Sequence, residues 1–395
     1  MRRVFVVTAA TVAFVGLAAA WLGFTGLPMH GLPPPASGSV GAIGDAATDP
    51  ARTEFFAGSG KRVVPFQILY PASAPGNAVR YVPDAEPVLA AIERNQGRLV
   101  GRALARIGTI TAPWTEGARP RANGPFPVVI YLPGVTGYMQ MSSFQTAALA
   151  ADGFVVVTLN QPGNVAAARL PDGSVVRGMS RDEAIELIAP SYRPVSLPPK
   201  FAARLAPERS IVPYLAADVP LVIDRLSATN ADPRHPLYGL LDLQTVGVMG
   251  VSLGAIVATQ ACQNDRITAC LMMDAPVPTA IANAGLRKPA LWLTRPAADQ
   301  RAERAASGGW PEEEIAAQAE SIAHAVSNSR QARVVTLTGL YHVDFTDLRE
   351  IQPLLGHLNL AGPSGTSQAH RDILRLTMAF FRTMKATRNP ATHRN

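Results

Sequence analysis

The chain has 395 residues, 48% hydrophobic and 16% charged, enough apolar material for one large core, which excludes a chain disordered over most of its length. The net charge is +7, but the arginines are scattered and no Lys/Arg block is interleaved with aromatics, so nucleic acid is not the partner this composition indicates. No histidine/carboxylate cluster has ligand spacing and no Gly-rich phosphate loop follows an early strand, so neither a metal nor an organic cofactor is expected.

From the N-terminus, Met1-Arg2-Arg3 precedes an uncharged stretch over residues 4–27 that contains Ala18-Ala19-Ala20. Basic residues, an apolar run and small residues in that order make residues 1–27 an export signal, either cleaved or kept as a membrane anchor, since the run is long enough to span a bilayer. The remainder is then extracytoplasmic: secreted, periplasmic or anchored, with membrane contact through the N-terminal segment. Residues 28–50, with Pro33-Pro34-Pro35, read as a Pro/Gly/Ala-rich linker, and residues 51–385 as one domain.

Within that domain a first strand is expected over 62–71, followed by a long polar connection. A central strand at 127–132, a helix at 142–152 and a strand at 154–159 make a parallel crossover. Residues 161–212 break the rhythm with repeated prolines and arginines and read as a cap or active-site rim. Alternation resumes with a helix around 216–226, strands at 246–249, 269–273, 290–294 and 333–338, and an amphipathic helix at 367–385; residues 386–395 form a basic tail. The expected architecture is α/β, a mostly parallel central sheet flanked by helices.

Gly250-Val251-Ser252-Leu253-Gly254 lies between the 246–249 strand and an aliphatic helix that starts at Leu253. G-x-S-x-G in that setting is a nucleophile elbow: the glycines let strand and helix backbones pass closely while the serine hydroxyl stands free above the sheet edge. A serine needs a base within reach and a carboxylate to hold that base in one tautomer. His342 follows the last expected strand, as topology requires of the base, whereas His324 falls inside a helix, His357 in a later loop and His370 in the final helix. Two carboxylates compete. Asp274 ends the apolar run Leu271-Met272-Met273, where a charge needs a partner such as an imidazole, and Asp299 sits in a Pro/Ala loop after the following strand. Asp274 is preferred. The oxyanion donors are expected to be the N–H groups of Leu253 and of Val135, in Pro133-Gly134-Val135-Thr136-Gly137. Cys262 and Cys270 fall on adjacent elements, so a disulfide and two buried thiols are both open.

These pieces together resemble the secreted platelet-activating factor acetylhydrolase family and its bacterial relatives, over roughly residues 60–385. The resemblance rests on Val64-Pro65-Phe66-Gln67-Ile68-Leu69-Tyr70-Pro71, on Phe126-Pro127-Val128-Val129 leading to a Pro-Gly loop, on Ala151-Asp152-Gly153-Phe154-Val155-Val156, on Asp274-Ala275, and on His342-Val343-Asp344-Phe345-Thr346-Asp347. It implies an α/β-hydrolase fold, hydrolysis of short-chain or lipid-type carboxylic esters, and an acid at Asp274. The chain departs from that family in the elbow, with Val251-Ser252 in place of His-Ser and Gly254-Ala255 in place of Gly-Gly, and in the loop, with Pro133-Gly134 in place of His-Gly. The loop is instead similar to the P-G-Y-T-G loop of cutinase-like polyester hydrolases. An acyltransferase using the same residues, a polyester hydrolase and a catalytically silent binding protein on this fold are the alternatives.

Overall fold

The computed structural model describes residues 27, 29–57, 60–205, 210–309 and 311–386. Most of residues 1–27, read from the sequence as an export segment, and all but the first residue of the expected basic tail therefore lie outside the described residues. Among the described residues twelve strands are formed: β1 Val40–Thr53, β2 Lys61–Pro71, β3 Asn77–Arg80, β4 Thr111–Glu116, β5 Phe126–Leu132, β6 Val155–Leu159, β7 Ala167–Arg169, β8 Val175–Arg177, β9 Leu241–Val251, β10 Ala269–Met273, β11 Ala290–Thr294 and β12 Ala332–Thr336. Ten of them make one sheet in the order β12-β11-β10-β9-β5-β6-β2-β1-β4-β3, and β7 with β8 forms a separate hairpin. From β12 to β6 every pairing is parallel; β2 joins β6 antiparallel and β1 joins β2 antiparallel.

The parallel strands form where the sequence runs apolar without alternation, because helices cover both faces. Successive side chains then feed opposite cores. Val128, Ile130, Val248, Met272 and Trp292 enter one core, and Val129, Tyr131, Met249, Leu271, Met273 and Leu293 enter the other. All eleven are essentially removed from water.

Several expectations are corrected. The sheet begins at Val40, inside the stretch read as a linker, because β1 pairs with β2 from Val40↔Pro71 to Asp49↔Arg62 before a register shift. Its composition hides it: Gly, Ala, Asp and Thr dilute the apolar signal, and the strand is held by the pairing rather than by its own propensity. The polar connection after β2 contains β3, a helix at Ala85–Gln96 and β4. Asp299 lies in the first turn of a helix, Ala297–Ser307, not in a loop, and His357 ends a short helix, Leu354–His357.

The segment 161–212 carries the β7–β8 hairpin and helices at Arg181–Ile188, Pro199–Leu205 and Ile211–Ala216, the last running into a further helix at Asp218–Ala231. It is tied to the sheet by a buried ion cluster. Arg62 on β2, with 0% of its side chain exposed, donates to Glu54 (2.9 Å), Asp218 (2.6 Å) and the Pro162 carbonyl (3.0 Å), and Gln161 donates to Asp218 (2.8 Å). Cys262, at the end of the Leu253–Ala261 helix, is joined by a disulfide to Cys270 on β10, with Cα atoms 6.1 Å apart. Among the described residues no helix is long and apolar enough to cross a membrane.

Candidate active site

At the carboxyl end of β9 the chain reverses into the Leu253–Ala261 helix through Ser252, whose φ of 57° lies in the left-handed region that a serine rarely adopts. Strain of this kind persists only where the surroundings over-determine it. Here they do. A Cβ on Gly250 or on Gly254 would run into backbone, at the Gly254 and the Leu132 carbonyl oxygens respectively, and the Ser252 N–H is held by the Met273 carbonyl at 3.0 Å. Among the described residues no hydrogen bond engages the Ser252 hydroxyl, which lines a cavity of about 550 Å³.

The loop after β5 comes close to this serine: a Cβ on Gly134 would stand 3.0 Å from the Ser252 Cβ and 3.6 Å from its Oγ. Asn164 holds the loop from behind, its Nδ2 donating to the Pro133 carbonyl (2.8 Å) and its own carbonyl accepting from the Thr136 N–H (2.9 Å). Between those anchors the Val135 N–H has no acceptor among the described residues, and neither does the Leu253 N–H, the first of its helix. Val135 and Leu253 both line the cavity.

Asp274 leaves the end of β10 with φ of 50°, and its N–H is held by the Leu293 carbonyl at 2.8 Å. Its carboxylate accepts from His342 Nδ1 at 2.5 Å, so Nε2 is left as the basic nitrogen. The His342 ring is about one-third exposed and lines the same cavity as Ser252. Two aspartates of its segment fix where it sits. Asp344 accepts from the Tyr341 N–H (2.7 Å), the Gly362 N–H (2.8 Å) and Arg349 (2.9 Å). Asp347 accepts from the Tyr81 hydroxyl (2.6 Å) and from the Ser143 and Phe144 N–H groups (2.6 and 3.1 Å) that open the Ser143–Ala151 helix. Asp299 is engaged elsewhere, accepting the Gly339 N–H at 2.6 Å on the approach to that segment.

The sequence reading missed two residues here, Arg295 and Glu303. Arg295, at the end of β11 and 3% exposed, places Nε and Nη2 each 2.8 Å from Asp274 Oδ2 and Nη1 2.6 Å from Glu303 Oε2. The other oxygen of Glu303 accepts the His342 backbone N–H at 3.0 Å. Burial would raise the Asp274 carboxyl, but the Arg295 charge and the His342 ring overcome it and hold the group well below the ordinary carboxylate range. The signal for Arg295 was the one used for Asp274: a charged residue at the tip of the apolar run Leu291-Trp292-Leu293 needs a partner.

No protein-family model matches the chain, and neither does any curated protein. Solved structures do. A ferulic acid esterase from Streptomyces cinnamoneus is 20% identical, over 89% of this chain and 91% of its own, with a TM-score of 0.64. The fold is that of an α/β-hydrolase. A protein assigned as a dienelactone hydrolase from Klebsiella pneumoniae subsp. pneumoniae (12% identity, 86% and 98% of the two chains, TM-score 0.40) and one assigned as a dipeptidyl aminopeptidase IV from Bacteroides ovatus (9%, 87% and 36%, 0.43) align more loosely. In the α/β-hydrolase fold a serine on this turn stands above the carboxyl edge of the sheet, where the crevice for a ligand lies.

Part of the cavity wall comes from the 161–212 rim. Its Arg181–Ile188 helix starts on a capping box, with Ser180 Oγ accepting from the Glu183 N–H (3.2 Å) and the Glu183 carboxylate from the Ser180 N–H (3.0 Å). That start directs Ala184, Ile185 and Ile188 toward the cavity, with Tyr192 beyond them. Among the described residues no group of three or more His, Cys, Asp or Glu side chains could hold a metal ion.

Proposed function

We propose that the chain is an exported serine carboxylic-ester hydrolase. In this reading Ser252 Oγ attacks the ester carbonyl carbon and its proton passes to His342 Nε2. The amides of Leu253 and Val135 hold the oxyanion, and Asp274 keeps Nδ1 protonated and balances the imidazolium. The tetrahedral intermediate collapses by breaking the bond to the alcohol, whose oxygen takes the proton from Nε2. Water then attacks the acyl-enzyme, gives its proton to Nε2, and the acid leaves as Ser252 Oγ recovers that proton.

The observation that carries the reading is the shared wall: a strained serine with a free hydroxyl and a histidine already oriented by a buried carboxylate line one cavity. The esterase named among the similar structures agrees with it. The apolar rim face of Ala184, Ile185 and Ile188 suits an ester with an apolar group, and a cavity of about 550 Å³ has room for more than the acetyl group that the acetylhydrolase resemblance suggests. Export rests on residues 1–27. Hydrolysis of a panel of p-nitrophenyl esters by the wild type and by Ser252→Ala tests the reading: turnover falling by several orders of magnitude with unchanged circular dichroism supports it, and undiminished turnover overturns it.

A further inference from the structure

His342 is gripped twice by one connected group of charges. Its ring meets Asp274, Asp274 meets Arg295, Arg295 meets Glu303, and Glu303 returns to the His342 backbone N–H. The contacts close a ring through four side chains drawn from the ends of β10 and β11, the Ala297–Ser307 helix and the segment after β12. A single buried carboxylate at Nδ1 would serve to orient the imidazole. This arrangement adds a guanidinium to that carboxylate and a second carboxylate to the guanidinium.

We propose that Arg295 and Glu303 are positioning residues of the site, acting through Asp274 and His342: Arg295 offsets part of the Asp274 charge felt by the imidazole, and Glu303 holds both Arg295 and the His342 backbone. The proposal rests on the ester-hydrolase reading for its consequence in turnover. Its electrostatic content follows from the geometry. Asp274, Arg295 and Glu303 together carry one net negative charge beside His342. Gln318 completes the contacts to Asp274 without charge, its Nε2 standing 3.4 Å from Oδ1.

Other charged groups stand near the site on neighbouring elements. On the histidine's own segment Asp344 is paired with Arg349, and Asp299 is bonded to the Gly339 N–H. The Glu312–Ser327 helix presents Glu313, Glu314, Glu320 and His324 to the cavity, and the rim presents Arg181 and Arg193, so charges of both signs face the ring from those two elements.

Removing one member should therefore move the histidine in a direction set by the sign of the charge removed. Glu303→Gln keeps an oxygen for the His342 N–H and deletes a negative charge, so the imidazolium loses support and His342 titrates at lower pH. Arg295→Gln deletes the positive charge and leaves two carboxylates, so His342 titrates at higher pH. Each shift is expected to be about half a pH unit or more. The acid limb of ester turnover, which reports neutral His342, should move in the same two directions.

The test is an NMR titration of the His342 imidazole in the full chain and both variants, with the pH profile of p-nitrophenyl ester hydrolysis measured alongside. Opposite shifts support the proposal. Equal shifts, or none, in folded variants overturn it, because a merely structural role would lower turnover without opposite displacements. If Arg295→Gln does not fold, Glu303→Gln decides alone: an unmoved or raised midpoint refutes the ring. Opposite NMR shifts without ester turnover in the wild type would count against the ester-hydrolase reading while leaving the electrostatics standing.

Discussion

On the proposed ester-hydrolase reading, replacing Asp274 by Asn is expected to perturb both the reaction and the fold, and the two effects have separate magnitudes. In the reaction, an amide facing His342 Nδ1 offers its NH₂ as readily as its oxygen and so supports the wrong tautomer; the expected loss in turnover is about 10⁴-fold, or roughly 5.5 kcal/mol of transition-state stabilisation. In the fold, Asp274 is also the partner of Arg295, with two contacts at 2.8 Å between side chains that are each 1% exposed. Removing one charge from a buried pair costs about 3 to 5 kcal/mol in general. Glu303 remains on Arg295 at 2.6 Å, so the lower end of that range applies. Asp299→Asn provides the contrast, because its carboxylate accepts one backbone N–H and touches neither His342 nor Arg295; the expected cost is about 1 kcal/mol of stability with turnover changed only a few-fold. Turnover of a p-nitrophenyl ester and urea unfolding of wild type and both variants measure the two quantities. A mild Asp274→Asn and a severe Asp299→Asn would refute the assignment of the acid, and comparable losses in both would refute the reasoning that separates them.

Three further outcomes are expected. Gly254→Ala places a methyl group on the Leu132 carbonyl, so turnover should fall by at least an order of magnitude as the elbow shifts; wild-type kinetics in that variant would show that the close approach does not matter. The Cys262–Cys270 bridge closes a short loop, with a sequence separation of 8, and its removal by a double serine substitution should cost roughly 2 to 3 kcal/mol in chemical denaturation; an unchanged midpoint would contradict this. Tyr192 lines both the cavity at Ser252 and an adjoining open cavity of about 920 Å³, and Thr279 latches it by donating to its carbonyl at 2.8 Å. Tyr192→Ala should join the two spaces and move the acyl-chain preference toward longer esters, so an unaltered chain-length profile would remove Tyr192 as the dividing wall.

What could be read from the sequence follows from how local the cause is. The Ser252 turn was legible because backbone collision at Gly250 and Gly254 is a local constraint that only glycine relieves. Strands β5, β6, β9, β10 and β11 were legible because burial on both faces leaves an uninterrupted apolar run. Strand β1 was not, because its small and polar residues are recruited by pairing with β2, a non-local cause. The Ala297–Ser307 helix carried readable signals, a proline at its start, Asp299 in its first turn and Arg304 in its last, which the reading of a Pro/Ala loop passed over. Glu303 had no local mark: an acidic residue on an exposed-looking helix acquires its place only when Arg295 and His342 are brought to it. The partners of Asp344 and Asp347 are non-local in the same way, with Tyr81, Ser143 and Gly362 arriving from three separate parts of the chain.

The central claim is that the Ser252 hydroxyl is a nucleophile activated by His342, and covalent trapping tests it most directly. The protein is incubated with an alkyl fluorophosphonate, digested, and the modified peptide is mapped by mass spectrometry. The account predicts one adduct on Ser252, abolished in Ser252→Ala and strongly slowed in Asp274→Asn. An unmodified Ser252 in folded wild-type protein, or an adduct on another residue that persists in Ser252→Ala, would contradict it.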